Sequence, residues 1–182
     1  MLLIKPRRAR HRWPLNPAEA RLGALFLVII FTVIVLSTQI HASRLVHEIA
    51  LFGHLSSLVV GFGSVLAVDW FGLLFLAGKM SMGAVLVQAD RMTPLIWLGL
   101  LGLVGTGMFL QPDLTSSLVV VKLCSVLAIS VVGALTLATK RQMVHRVAAL
   151  PRRLMLRGMI LASASQALWW TAVIIGFVSA ER

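Results

Sequence analysis

The chain reads as an all-α polytopic membrane helix bundle, with five transmembrane helices, the N-terminus inside and the C-terminus outside. Three observations predict this. Hydrophobic residues make up 59% of the 182 residues and charged residues only 13%, with a mean hydropathy of +0.94, outside the range of water-soluble domains. The apolar residues come in long blocks, several about the length that crosses a ~30 Å hydrocarbon core. The basic residues fall between these blocks on alternate sides.

Residues 1–22 form a basic cytoplasmic tail with Lys5, Arg7, Arg8, Arg10, Arg12 and Arg21, broken by Pro6, Pro14 and Pro17. The single transmembrane domain covers 23–178. Its first span, 23–40, reads as a retained signal-anchor, because the basic stretch before it is long and no clean small-x-small cleavage site follows. The second apolar block begins near Leu45 and continues to Ala77, too long for one simple crossing and too short for two with a turn. It is read as one span over 46–68, with Asp69 and Trp70 at the exit level. Residues 79–93 (KMSMGAVLVQADRMT) are a connector, and Pro94 opens the third span, 94–110. Gln111-Pro112-Asp113 turns the chain into the fourth span, 116–138. A basic loop or surface helix over 139–157, broken at Pro151, leads to the fifth, 158–178, and 179–182 form a short outer tail.

With the N-terminus inside, fourteen Lys and Arg lie on the inner side against Arg44, Lys122 and Arg182 outside. This is a strong positive-inside bias, and a four-span or six-span count would misplace one basic cluster. The expected location is a bacterial inner membrane. The net charge of +11 sits beside apolar spans and fits anionic headgroups. No recognition motif points to nucleic acid, which is not an expected partner. The expected partner is the lipid bilayer, with a homo-oligomer or other membrane subunits also open.

The chemistry-bearing residues are few. Within the second span, His47, Ala50, His54, Ser57, Gly61, Ser64 and Val68 share one helical face, a stripe of small and polar groups. Such a stripe should face other helices. His47 and His54 are seven residues apart, about 10 Å along the axis. Lys122 lies about two turns into the fourth span, and Met108 is near the end of the third, so all four belong to the outer half of the bundle. Ionisable groups at that depth are costly unless paired or wet. His54, His47, Met108 and Lys122 are therefore the candidate cofactor-binding set.

The two histidines share one face and cannot clamp one haem from both sides. His54 with Met108 is the axial pairing to expect for haem b, with Lys122 meeting a propionate or another anion. The same two residues could instead hold copper through imidazole and thioether. The competing reading makes His47 and Glu48 interfacial, Lys122 a snorkelling residue, Met108 packing and His54 a hydrogen-bonded core residue. Asp69 reads as interfacial, paired with Lys79 or Arg91. Gln166 sits closer to mid-membrane on the fifth span, on a face with Ser163 and Trp170. Met80 and Met82 read as surface packing, and Cys124 as a small core residue. The glycines at 99, 102, 105 and 107 are close-packing positions. There is no nucleophile–base pair and no HExxH, so hydrolysis is not expected.

Four segments carry a resemblance: HEIALFGHLSSLVVGFGSVLAVDWFGLLFL, MTPLIWLGLLGLVGTGMFL, SSLVVVKLCSVLAISVVGAL and SASQALWWTAVIIG. Together they resemble an uncharacterised group of bacterial multi-pass membrane proteins, similar to the CopD-like and HemJ-like membrane proteins. The resemblance covers roughly residues 45–178. It implies that His54 (or His47) and Lys122, which opens a Lys-Leu pair with Leu123, form the functional pair, and that haem b and porphyrin oxidation are the associated chemistry. The chain departs from the pattern where Leu55 to Gly63 replace the tryptophan-glycine signature, and it lacks the Leu-Pro-Arg segment expected after it. The two functional expectations are a redox protein holding haem b or a metal between helices, and a non-enzymatic subunit, assembly factor or permease-like protein whose polar stripe only packs helices.

Overall fold

A computed structural model describes residues 17–37, 39–40 and 42–180. The basic residues from Lys5 to Arg12, His11, His41 and Arg182 lie outside the described residues. Those described are helical and loop, without strands. They form α1 (Pro17–Ser37), α2 (Arg44–Leu76), α3 (Met82–Gly107, prolonged by a 3-10 turn at Met108–Leu110), α4 (Ser117–Val144) and α5 (Arg152–Ala180), with a 3-10 turn at Val147–Ala149 before α5. Four helical segments are long and apolar enough to cross a membrane: Arg44–Leu76, Met82–Leu110, Ser117–Val144 and Arg152–Ser179. The apolar part of α1, Gly23–Ser37, is shorter.

The helices overrun the spans read from hydropathy. α2 has 33 residues, roughly 50 Å of helix, and ends in a Schellman motif. Gly78 takes a left-handed φ of +71°. Its N–H bonds the Phe75 carbonyl, and the Lys79 N–H bonds the Leu74 carbonyl, which satisfies carbonyls that the helix end would orphan. Ser81 then caps α3 by accepting from the Ala84 N–H at 3.2 Å. The connector is therefore the tight turn at residues 77–81, and 82–93 are the first turns of α3, a correction to the connector expected over 79–93. Pro94 lies inside α3 rather than at its start. The helix continues through the proline. The following loop is also ordered by side chains: Asp113 accepts from the Thr115 N–H at 2.9 Å and its hydroxyl at 2.6 Å. α4 likewise continues to Val144, and α5 begins directly after Pro151, whose carbonyl accepts from the Leu154 and Met155 N–H groups.

Packing is uneven. α2 and α3 form one close hairpin, and α4 and α5 form a second. In the first, Gly61 and Gly99 face each other so closely that a Cβ on Gly99 would meet the Gly61 backbone and, at 2.8 Å, the Ser57 carbonyl. α1 lies mainly along α4 and sends Phe26 edge-on into Trp97 of α3, with centroids 5.0 Å apart. The core joins both hairpins through Phe26, Ile30, Phe62, Leu100, Ile129 and Trp169. The Phe62 and Trp169 rings stack at 5.6 Å. Large apolar side chains cover the outside: Phe52, Val59 and Ile160 are 75%, 73% and 68% exposed, an apolar surface of the kind that meets lipid.

The two ends of the bundle differ. The turns at 77–81 and 145–151 share one end, where a Cβ on Gly83 would lie 3.8 Å from Val147 and Leu86, Met143 and Leu154 form a small cluster. At the other end the Gln111 side chain donates to the Ile40 carbonyl at 3.4 Å.

Candidate functional site

The α2–α3 seam sets the geometry around His54. The small-residue stripe does face α3: a Cβ on Gly102 would collide with the Ser57 side chain, and one on Gly53 would lie 3.1 Å from Thr106. Ala50, Gly61 and Ser64 are buried. Ser64 turns its hydroxyl back onto the Val60 carbonyl at 2.7 Å. Below His54 the stripe is helix packing.

His54 itself is different. Its Nδ1 lies 3.1 Å from the Thr106 hydroxyl. That hydroxyl has one hydrogen, which it donates to the Gly102 carbonyl at 2.6 Å. With that hydrogen on the Gly102 carbonyl, the hydroxyl accepts from Nδ1–H, the tautomer in which Nε2 of the neutral ring keeps the lone pair. An imidazole anchored through Nδ1–H to an oxygen is the arrangement that prepares Nε2 as a ligand or proton acceptor. The ring also rests against Gly107, where a Cβ would come 3.5 Å from Cε1.

Lys122 is half-buried on the second turn of α4. No side chain among the described residues forms a hydrogen bond or ion pair with it. Met108 occupies the 3-10 turn after α3, one residue beyond the glycine that His54 touches. His47 lies in the first turn of α2, half-buried, beside an exposed Arg44–Glu48 pair of 3.0 Å. The structure thus joins His54 to Thr106. Thr106 was not singled out in the sequence, although a threonine among the spaced glycines of α3 was the available signal. Among the described residues there is no group of three His, Cys, Asp or Glu side chains able to hold a metal ion.

A second polar region lies in the other half of the bundle, where sequence reasoning placed only interfacial charges. Asp69 accepts from Gln166 of α5 and does not pair with Lys79 or Arg91. Lys140 of α4 donates to Asp90 at 2.7 Å and to Thr93 at 3.0 Å. Its side chain is only 12% exposed, so the start of the expected basic loop is a buried helical position. Both links cross from one hairpin to the other. Cys124 is exposed on α4 rather than in the core, because a helix that is apolar all round gives no sign of which face turns inward.

The fold and these sites define a class: an α-helical bundle compatible with integral membrane proteins, with polar side chains directed between its helices. Comparisons with protein families, with characterised proteins and with solved structures found no match.

Proposed function

We propose that this chain is a bacterial inner-membrane protein with five spans, N-terminus inside and C-terminus outside, α1 being the short first span. The positive-inside count supports this orientation, as does the clustering of the turns at 77–81 and 145–151 at one end. We further propose that His54, with Lys122 beside it, binds haem b for a redox role. The observation that carries this reading is the 3.1 Å contact of His54 Nδ1 with the Thr106 hydroxyl, which leaves Nε2 as the nitrogen that would hold the group.

The residues fit the group in part. Lys122 suits a ligand bearing its own negative charge, such as a propionate. It disfavours a bare copper ion, which would bring a second uncompensated cation into an apolar region. The close α2–α3 contact leaves no slot for a macrocycle between those two helices. Met108, which follows the Gly107 that the His54 ring rests against, is the candidate for a second ligand, and His47 the alternative. When bound, the haem would supply one-electron chemistry. The protein's part is to fix the His54 tautomer through Thr106 and to place a cation nearby.

A second reading is favoured by the Gly61–Gly99 contact. The stripe serves packing, and the chain is then a non-enzymatic subunit, assembly factor or permease-like protein. The two readings separate on one preparation. Detergent-purified protein from haem-replete cells should show a Soret band that is lost in His54→Ala and weakened in Thr106→Val. A colourless, folded protein sinks the haem reading, and metal analysis of the same sample tests copper.

A further inference from the structure

The two hairpins do not close on each other completely. Between them lies a largely apolar cavity of about 120 Å³ whose walls come from four helices. Two charged side chains line it, Asp69 of α2 and Lys140 of α4. Lys140 is committed to Asp90, its ion-pair partner on α3, and to Thr93. α5 brings no charged side chain to the walls, and the hydroxyls of Thr93, Thr136 and Ser165 are neutral. Asp69 makes no ion pair with any described residue, and its hydrogen-bond partner is the neutral amide of Gln166 on α5.

Gln166 is the central residue of the 29-residue α5, roughly 20 Å of helix from either end. Asp69 is thus held at mid-height of α5, the level at which a membrane protein is farthest from bulk water. An ionised carboxylate without a counter-charge is costly there, and such a group is neutralised rather than left bare. The hydrogen-bond inventory points to what neutralises it. Gln166 donates through Nε2 to Oδ2 of Asp69, while its Oε1 is buried with no donor. An ionised carboxylate only accepts, so it leaves that oxygen unsatisfied. A carboxylic acid accepts the amide N–H on one oxygen and can donate its O–H to the amide oxygen from the other. Turning the amide over would set Oε1 against Oδ2, two acceptors face to face, and that arrangement also requires a proton between them.

A metal cation would answer the charge of Asp69 but not the buried oxygen inventory, since it asks for several oxygen ligands and the walls are mainly apolar. We propose that Asp69 is a proton-binding site between the hairpins, donating its acid O–H to the Gln166 carbonyl oxygen and exchanging its proton through the cavity. The cavity has room for several waters to carry that exchange. Release of the proton removes one of the two hydrogen bonds that join α2 to α5, so the contact between the hairpins responds to proton binding. The site shares no residue with the His54 region and stands or falls without the haem reading.

The test uses the full chain in nanodiscs and dicyclohexylcarbodiimide, an apolar reagent that adds to carboxylic acids and not to carboxylates. Mass spectrometry of the peptides should show Asp69 modified at least tenfold faster than the exposed Glu48, Asp90 and Asp113. The rate at Asp69 should fall about tenfold per pH unit once the acid ionises. Infrared spectra at neutral pH should show an acid C=O band that is absent in Asp69→Asn. In Gln166→Leu, which removes both hydrogen bonds, the band should move to higher frequency, a change that a merely structural carboxylate would not give. If neither variant folds, labelling of the unaltered protein decides. Asp69 left unmodified, or modified at a rate independent of pH, overturns the proposal. Protection of Asp69 by sodium ions at fixed pH and ionic strength also overturns it, by making this a metal-cation site.

Discussion

Glycine positions in α3 carry unequal weight, and only some can accept a side chain. At Gly99 an added methyl meets the Gly61 backbone, which cannot swing aside. Gly99→Ala should therefore cost about 1–3 kcal/mol, the usual range for overpacking, read as a lower thermal midpoint in detergent. Gly105 has nothing within 4 Å of the same position, so Gly105→Ala should leave stability unchanged or raise it by up to about 1 kcal/mol through helix propensity. Equal effects at both positions would remove the case for a close α2–α3 contact. Spacing alone marked these glycines as a set, and separating packing positions from spare ones required the partner helix. The same holds for His54. Its depth was legible from its place in an apolar block, but the Thr106 anchor that fixes its tautomer joins residues 52 positions apart.

Helix ends are decided by local chemistry that hydropathy does not weigh. Gly78 ends α2 because its φ of +71° is one that glycine adopts without the Cβ penalty other residues meet. Gly78→Val should cost about 1–2 kcal/mol, measurable as a lower midpoint with the helical circular dichroism signal retained. The Asp113 turn supplies a pH test. Hydrogen bonds from the Thr115 hydroxyl, and then from its N–H, hold the Asp113 carboxyl below the ordinary carboxylate range. A folded-state pKa below the unfolded value stabilises at pH above the unfolded value, and that contribution fades as pH falls through the folded one. Asp113→Ala should thus melt below the unaltered protein at neutral pH, and the gap should narrow in acid. A gap constant with pH would show that the turn owes nothing to the ionised carboxylate. Pro94 taught the opposite lesson about elements. A proline is commonly tolerated in a first helical turn, but here it lies inside α3, which continues through it.

At the scale of the molecule, two hairpins and a leading helix are joined by aromatic and polar contacts, and both polar links between the hairpins lie toward the end that holds the turns at 77–81 and 145–151. The proposed topology predicts opposite accessibility at the two ends. With Cys124 replaced by serine, a cysteine at Ser81 should be labelled only from the cytoplasmic side, and one at Ser116 only from outside. Labelling of both from one side would overturn the orientation. The inter-hairpin links make a further prediction: Gln166→Leu removes the donor to Asp69 and should loosen α2 against α5, lowering the thermal midpoint by an amount equivalent to about 1–3 kcal/mol, since it leaves a buried carboxylate with fewer partners.

What the sequence by itself determined was the solvent and the secondary structure. Apolar blocks longer than a bilayer is thick, with charges between them, leave the backbone no partner but itself, and helices follow. The small-residue stripe of α2 showed one packing face, but which helix it meets, and how the other helices turn, was decided by the tertiary structure, because helices apolar on every side carry weak amphipathic signals. Asp69 found Gln166, and Lys140 found Asp90 and Thr93, through contacts across 47 to 97 residues of chain, a distance over which no local pattern speaks.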